Sequence, residues 1–207
     1  MRLRERIEVQ IAQDNPWLRC GGEDGRGRDE ESCDSERKRE NEPEHDRTLF
    51  TEVKSMSRYW LFKSEPDAYG FEQLRKDRTT PWSGVRNFQA RNNMMEMVVG
   101  DLGFFYHSSI AEPAAVGIVK VVKAAYPDET AFQRGGEYYD PRSTPAKPLW
   151  MNVDVEYVEP LAHPVTLAHM RADPRLVGMA LLKRGQRLSV QPVMPHEWKI
   201  ILELAAK

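Results

Sequence analysis

The chain has 207 residues, with 30 Lys or Arg against 32 Asp or Glu and two cysteines. A formal net charge of −2 lacks the basic excess of proteins that hold nucleic acid by charge alone. No apolar run is long enough for a membrane-spanning helix or a signal peptide.

Composition divides the chain in two. Residues 1–55 carry 11 basic and 15 acidic side chains and two aromatics, Trp17 and Phe50. Such a segment buries too little apolar surface to offset its ordering entropy, which predicts a disordered or non-native N-terminal extension. A regulatory arm, a targeting segment and translation that begins too early all fit it. Arg2, Arg4 and Arg6 look like the start of a transit peptide, but the acids that follow argue against one. Arg37-Lys38-Arg39 is too short and too diluted by acids for a localisation signal. An over-long or dispensable extension is the favoured reading. Residues 56–207 hold the other 17 aromatics, with 19 basic and 17 acidic residues, and match one ordinary domain. Cys20 and Cys33 both lie in the extension, which leaves the domain without a disulfide scaffold or a cysteine zinc site.

The domain reads as strand-rich. Tyr59-Trp60-Leu61-Phe62-Lys63 is a compact β-prone run, stopped by Pro66. Residues 71–76 suit a short helix. Residues 87–97 suit another, with Ala90, Met94 and Met97 on one side, and Met94, Met95 and Met97 read as core filling. Gly100-Asp101 turns into a buried strand at 102–106, and 114–122 follows as a nearly continuous apolar strand. Residues 152–158 alternate through Val153, Val155 and Tyr157. The intervening stretch is long, polar and broken by Pro127, Pro141, Pro145 and Pro148, which marks a functional or mobile loop. Residues 179–182 read helical, 187–190 as a strand, and Pro195 opens a closing helix. Many short strands with few helices suggest a small barrel.

The stretch Trp82-Ser83-Gly84-Val85-Arg86-Asn87-Phe88-Gln89-Ala90-Arg91-Asn92 places an aromatic plane, two guanidinium groups and several amides at a turn into a helix. These are parts for holding a flat polar ring near a phosphate, without a nucleophile–base pair. An ordinary turn with its Trp in the core uses the same residues. Other chemistries lack their signatures: there is no Gly-x-Gly-x-x-Gly and no phosphate-binding Gly-Lys-Ser/Thr loop. His163 and His169 are six apart with Pro164 between, the wrong interval for a helical zinc site. No nucleophile elbow surrounds Ser108, and His196 reads as solvated. Arg184 and Arg187 flank Gly185 and would extend a basic rim.

Seven ordered motifs carry a family resemblance. Tyr59-Trp60-Leu61-Phe62-Lys63-Ser64-Glu65-Pro66 resembles the opening signature of the EVE domain, and residues 82–92 resemble its second. Gly100-Asp101 through Phe104-Phe105-Tyr106-His107-Ser108 resembles the third. Tyr126-Pro127-Asp128, Tyr139-Asp140-Pro141, Val153-Asp154-Val155 and Arg187-Leu188-Ser189-Val190-Gln191-Pro192 continue the match, which covers residues 58 to about 204. Phe88 stands where many members carry Tyr, removing a hydroxyl.

The resemblance implies an α+β, PUA-like β-barrel with short peripheral helices, related to the YTH reader of methylated adenine. It implies a nucleic-acid binding module that reads a modified base, chiefly modified cytosine in DNA, with RNA as the alternative. It brings no cofactor, no metal and no established catalytic activity, and a partner that is nucleic acid rather than membrane. A bacterial source would place such a module in the cytoplasm, a eukaryotic one in the nucleus. Trp82 is expected to stack on a flipped base, with Ser83, Gly84, Val85 and Asn87 at its edge. Lys63, Ser64 and Glu65 are expected at a pocket mouth, Arg86 and Arg91 on phosphates, and Tyr106, His107 and Ser108 along the cavity. Each has a structural alternative: Lys63 and Glu65 as a surface pair, Arg91 holding a helix to the barrel, Tyr106 in the core. An enzyme acting on a small nucleotide or modified nucleoside is the runner-up, and a protein-interaction module the third reading.

Overall fold

The structure, a computed structural model, describes residues 58–207. The expectations for residues 1–55 lie outside the described residues. Six strands form one mixed sheet in the order β2-β5-β4-β3-β1-β6. They are β1 (Tyr59–Ser64), β2 (Thr79–Pro81), β3 (Leu102–His107), β4 (Ala114–Pro127), β5 (Met151–Thr166) and β6 (Val190–Val193). Four α-helices accompany them: α1 (Phe71–Asp77), α2 (Phe88–Met95), α3 (Leu167–Ala172) and α4 (Pro195–Ala205).

β1 runs parallel to β3, pairing Lys63 with Tyr106, and antiparallel to β6. Side chains alternate along a strand, so both faces of this buried centre are apolar. Trp60, Phe62 and Phe105 enter one cluster, with Phe71 and Leu74 of α1 and Ala90 and Met94 of α2. Leu61, Phe104 and Tyr106 enter the other, with Met170 of α3 and Trp198 and Ile201 of α4. Gly117 makes room for α1, because a Cβ there would lie 1.9 Å from the Phe71 ring. No helix among the described residues is long and apolar enough to cross a membrane.

The α+β class is as expected, and the barrel is open. β2 and β6 are free edges. Four register shifts along the β4–β5 pair bend it, as bulges do. α2 packs on both β5 and β6, and Asn93 Nδ2 donates to the Val190 carbonyl at 2.9 Å. A helix, not a hydrogen-bonded seam, therefore spans the gap.

Several boundaries differ from the sequence reading. β4 continues to Pro127 and β5 to Thr166, because bulged pairing accommodates prolines that look like strand ends; Pro160 pairs with Gly117 beside such a shift. The strand expected at 187–190 lies at Val190–Val193. Pro192 is tolerated there because β6 is an edge. β2 and α3 were not anticipated, being only three and six residues long. Met94 and Met97 are core residues as expected, whereas Met95 is 54% exposed.

Candidate nucleic-acid site

A cavity of about 390 Å³ opens where the C-terminal ends of β1 and β3 meet α3 and the 181–187 segment. Its lining includes five cations, Lys63, Arg171, Lys183, Arg184 and Arg187, and no carboxylate. Leu167, Leu181, Leu182 and Pro113 supply apolar surface, and Tyr106, Ser108, Ser109 and Gln186 supply polar groups. Lys63 is half-buried, which pushes its ammonium pKa down. Its Nζ donates to the Gln186 carbonyl at 3.5 Å, and none of the ion pairs among the described residues includes it. Burial pushes the Tyr106 hydroxyl up to about 12, against the opposing field of Arg171. It is therefore a neutral hydrogen-bonding group at physiological pH.

The residues at 82–92 lie on the other face of the sheet. Trp82 is 8% exposed and meets Phe62 and Phe105 edge-on, with ring centroids 5.1 and 5.5 Å away. Its backbone N–H donates to the Val153 carbonyl at 2.7 Å. Val85 is buried beside it and Ser83 is exposed. Asn87 caps α2, its side chain accepting from the Gln89 and Ala90 N–H groups at 2.9 and 3.1 Å.

Arg86 was expected on phosphate, and the structure gives its N–H groups other work. Nε donates to the Tyr138 carbonyl, Nη1 to the Val85 carbonyl and to Asp128 Oδ2, and Nη2 to Thr130 Oγ1 and the Tyr138 carbonyl. All five guanidinium hydrogens are thereby used. Arg91 likewise donates to the Leu149 carbonyl at 3.0 Å and to Asn92, its guanidinium 5.0 Å from the Phe88 ring. Gly84 has φ of +77°, with the Tyr138 ring 3.0 Å from where a Cβ would sit, so this turn demands glycine. Arg86 ties the 128–150 loop to the turn before α2, and Arg91 ties it to α2 itself. The sequence signal for this clamp is Asp128, which closes the Tyr126-Pro127-Asp128 motif and is the carboxylate that Arg86 meets.

The sequence-predicted residues thus fall into two groups. Lys63, Tyr106 and Ser108 gather at the cavity, whereas residues 82–91 do not reach it. Ser64 and His107 point to the face that carries Trp82: Ser64 Oγ donates to the Tyr69 carbonyl at 2.7 Å. Glu65, at the end of β1, accepts from Ser109 Oγ at 2.7 Å. Sequence reasoning missed Arg171, Lys183, Ser109 and Gln186.

His107 Nε2 accepts from the Phe71 N–H at 3.2 Å, which requires the neutral ring, and burial lowers its pKa. The unfolded chain therefore takes up this proton first. Stability should fall as pH drops through the unfolded value near 6.5, and level off once the lower folded pKa is passed. Melting temperatures across pH 5–8 should show a step that His107→Gln removes; an identical pH profile for the variant would reject the assignment.

A family model described as the EVE domain matches residues 58–204. Human thymocyte nuclear protein 1 is 38% identical over 174 residues, covering 75% of this chain and 77% of that one. A Pseudomonas syringae protein of known structure is 41% identical with a TM-score of 0.69, covering 71% of this chain and 99% of its own. Human THYN1, solved in complex with DNA containing 5-methylcytosine, is 39% identical with a TM-score of 0.69 and coverages of 73% and 99%. The chain belongs to the EVE domain family.

Proposed function

We propose that this protein binds nucleic acid and reads a modified base, a modified cytosine in DNA, at the cavity between β1, β3 and α3. The observation that carries this reading is five cations around one concavity without a carboxylate, in a domain that holds 19 basic and 17 acidic residues. Its volume falls at the low end of ligand sites, roughly 300–1,000 Å³, which suits one nucleotide. Membership of the EVE family and the relative solved with 5-methylcytosine DNA support the same ligand class. Arg171, Arg184 and Arg187 grip phosphates, for which Arg is the fitting cation. Lys63 adds a short-range charge, Tyr106 offers a neutral hydroxyl donor, and the Ser108 and Ser109 oxygens offer acceptors toward a base edge. The lining contains neither a carboxylate nor a histidine, which favours binding over general acid–base chemistry. In a eukaryote the expected compartment is the nucleus, and in a bacterium the cytoplasm.

Titration of methylated, hydroxymethylated and unmodified oligonucleotides at several salt concentrations tests the proposal. The native protein should prefer a modified cytosine. Arg184→Ala and Arg187→Ala should each weaken modified and unmodified ligands alike and reduce the salt slope by about one. Equal native binding of all oligonucleotides would sink base reading, and an unchanged salt slope in both variants would remove the cavity from the interface.

A further inference from the structure

We infer that Gln191, a buried amide one residue pair below the basic cavity, reads the hydrogen-bonding edge of the entering base; this rests on the reader function proposed above. Gln191 lies in β6 opposite Leu61 and is fully buried. Strand alternation puts it on the face of Leu61 and Val193, which belong to the same cluster as Tyr106. The next pair along that face is Lys63 with Tyr106, and both line the cavity. Beside them the chain continues from Gln191 to Ser189, whose carbonyl accepts from the Lys63 N–H at 2.7 Å. The Ala180–Leu182 turn packs on β6 and lends Leu181 and Leu182 to the lining.

Neither Nε2 nor Oε1 of Gln191 has a hydrogen-bond partner. A buried amide left wholly unpaired costs stability, and native proteins keep few such groups. Among the described residues Asn152 is the other case, with its carbonyl oxygen alone unpaired; it pairs across to Tyr126 on the β4–β5 ribbon, away from the cavity lining. Gln191 differs in offering an unused acceptor beside an unused donor. Cytosine presents the complement, an amino donor beside a ring-nitrogen acceptor. A site built to hydrogen-bond such an edge discriminates strongly, because a ligand lacking it leaves the protein groups unpaired. The cations then supply backbone affinity and Gln191 supplies base affinity.

Gln191→Leu, close in size and apolar, separates recognition from structure. Its melting temperature should equal or exceed that of the native protein, because two unpaired polar groups disappear. Its affinity for the oligonucleotide bearing 5-methylcytosine should fall at least tenfold, with the salt slope unchanged. Affinity is read well below each melting point, so that it reports on folded protein alone. Undiminished affinity in Gln191→Leu overturns the role of Gln191, whichever way the melting temperature moves. A loss of affinity accompanied by a smaller salt slope also overturns it, since the defect would then lie in phosphate contact. Failure of the native protein to prefer any modified oligonucleotide sinks the reader function itself, a result distinct from both.

Discussion

Trp82→Ala should cost about 3–5 kcal/mol of folding free energy, the range for losing a packed aromatic ring. The ring lies in the cluster that joins β1, β3, α1 and α2. Its neighbours Phe62 and Phe105 are themselves fully buried, and the backbone on either side is held by the bond to Val153 and by buried Val85. The surroundings therefore cannot close around the void. A domain with a total stability of roughly 5–15 kcal/mol loses a large share of it, and the melting temperature should fall by roughly 6–20 °C. Trp82→Phe, which refills part of the void, should recover part of the loss. Thermal and urea unfolding decide the matter, alongside oligonucleotide binding at low temperature. Because the basic cavity lies on the opposite face, folded Trp82→Ala should bind nearly as the native protein does. An unmoved melting point with abolished binding would return Trp82 to the role of a stacking ring.

That residue shows where sequence stops being informative. A Trp at a glycine-bearing turn suits a stacking platform and a core plug equally; only the neighbours across the sheet choose between them. Arg86 is similar, since its five donors fit a phosphate as well as the carbonyls of a loop more than 40 residues away. By contrast, β1 and α2 were legible because their signals are local. Tyr59 to Phe62 is a compact β-prone run, and Ala90, Met94 and Met97 fall at helical spacing. The cavity had no local signal. Lys63 and Gln186, which touch there, are 123 positions apart. Arg171 rides on a six-residue helix that follows a proline-containing strand. Arg184 and Arg187 read as a basic rim flanking a glycine turn, but nothing in the chain order says what that rim faces. The ends of β4 and β5 were misjudged for a related reason: bulges that admit Pro160 depend on the partner strand.

Asp128→Ala should be the most damaging single change in the loop that the sequence marked as functional or mobile. Asp128 is fully buried. Its Oδ2 accepts from the Gly84 N–H at 3.0 Å and from Arg86 Nη1 at 2.8 Å. Its Oδ1 accepts from the Thr130 N–H at 3.0 Å and Oγ1 at 2.7 Å. Truncation would strand a guanidinium, a turn N–H and a hydroxyl together. Breaking a buried pair typically costs about 3–5 kcal/mol; the Arg86 side chain is 22% exposed, so water can reach it and the lower end, about 3 kcal/mol, is expected. Asp128→Asn keeps the shape and an acceptor, and should lose less. Burial alone would push the carboxyl pKa up, but hydrogen bonds from Arg86, Thr130 and Gly84 outweigh it and hold the folded value below the ordinary 3.8. The unfolded state therefore binds this proton first as pH falls. The carboxylate's stabilisation is complete above the unfolded pKa and disappears as pH falls through the folded one. Acid unfolding of the native protein should accordingly steepen below about pH 4, and Asp128→Ala should flatten that limb while melting earlier at neutral pH. An Asp128→Ala protein with native melting temperature and acid limb would show that the loop is held by other contacts, and that Arg86 is free to turn outward after all.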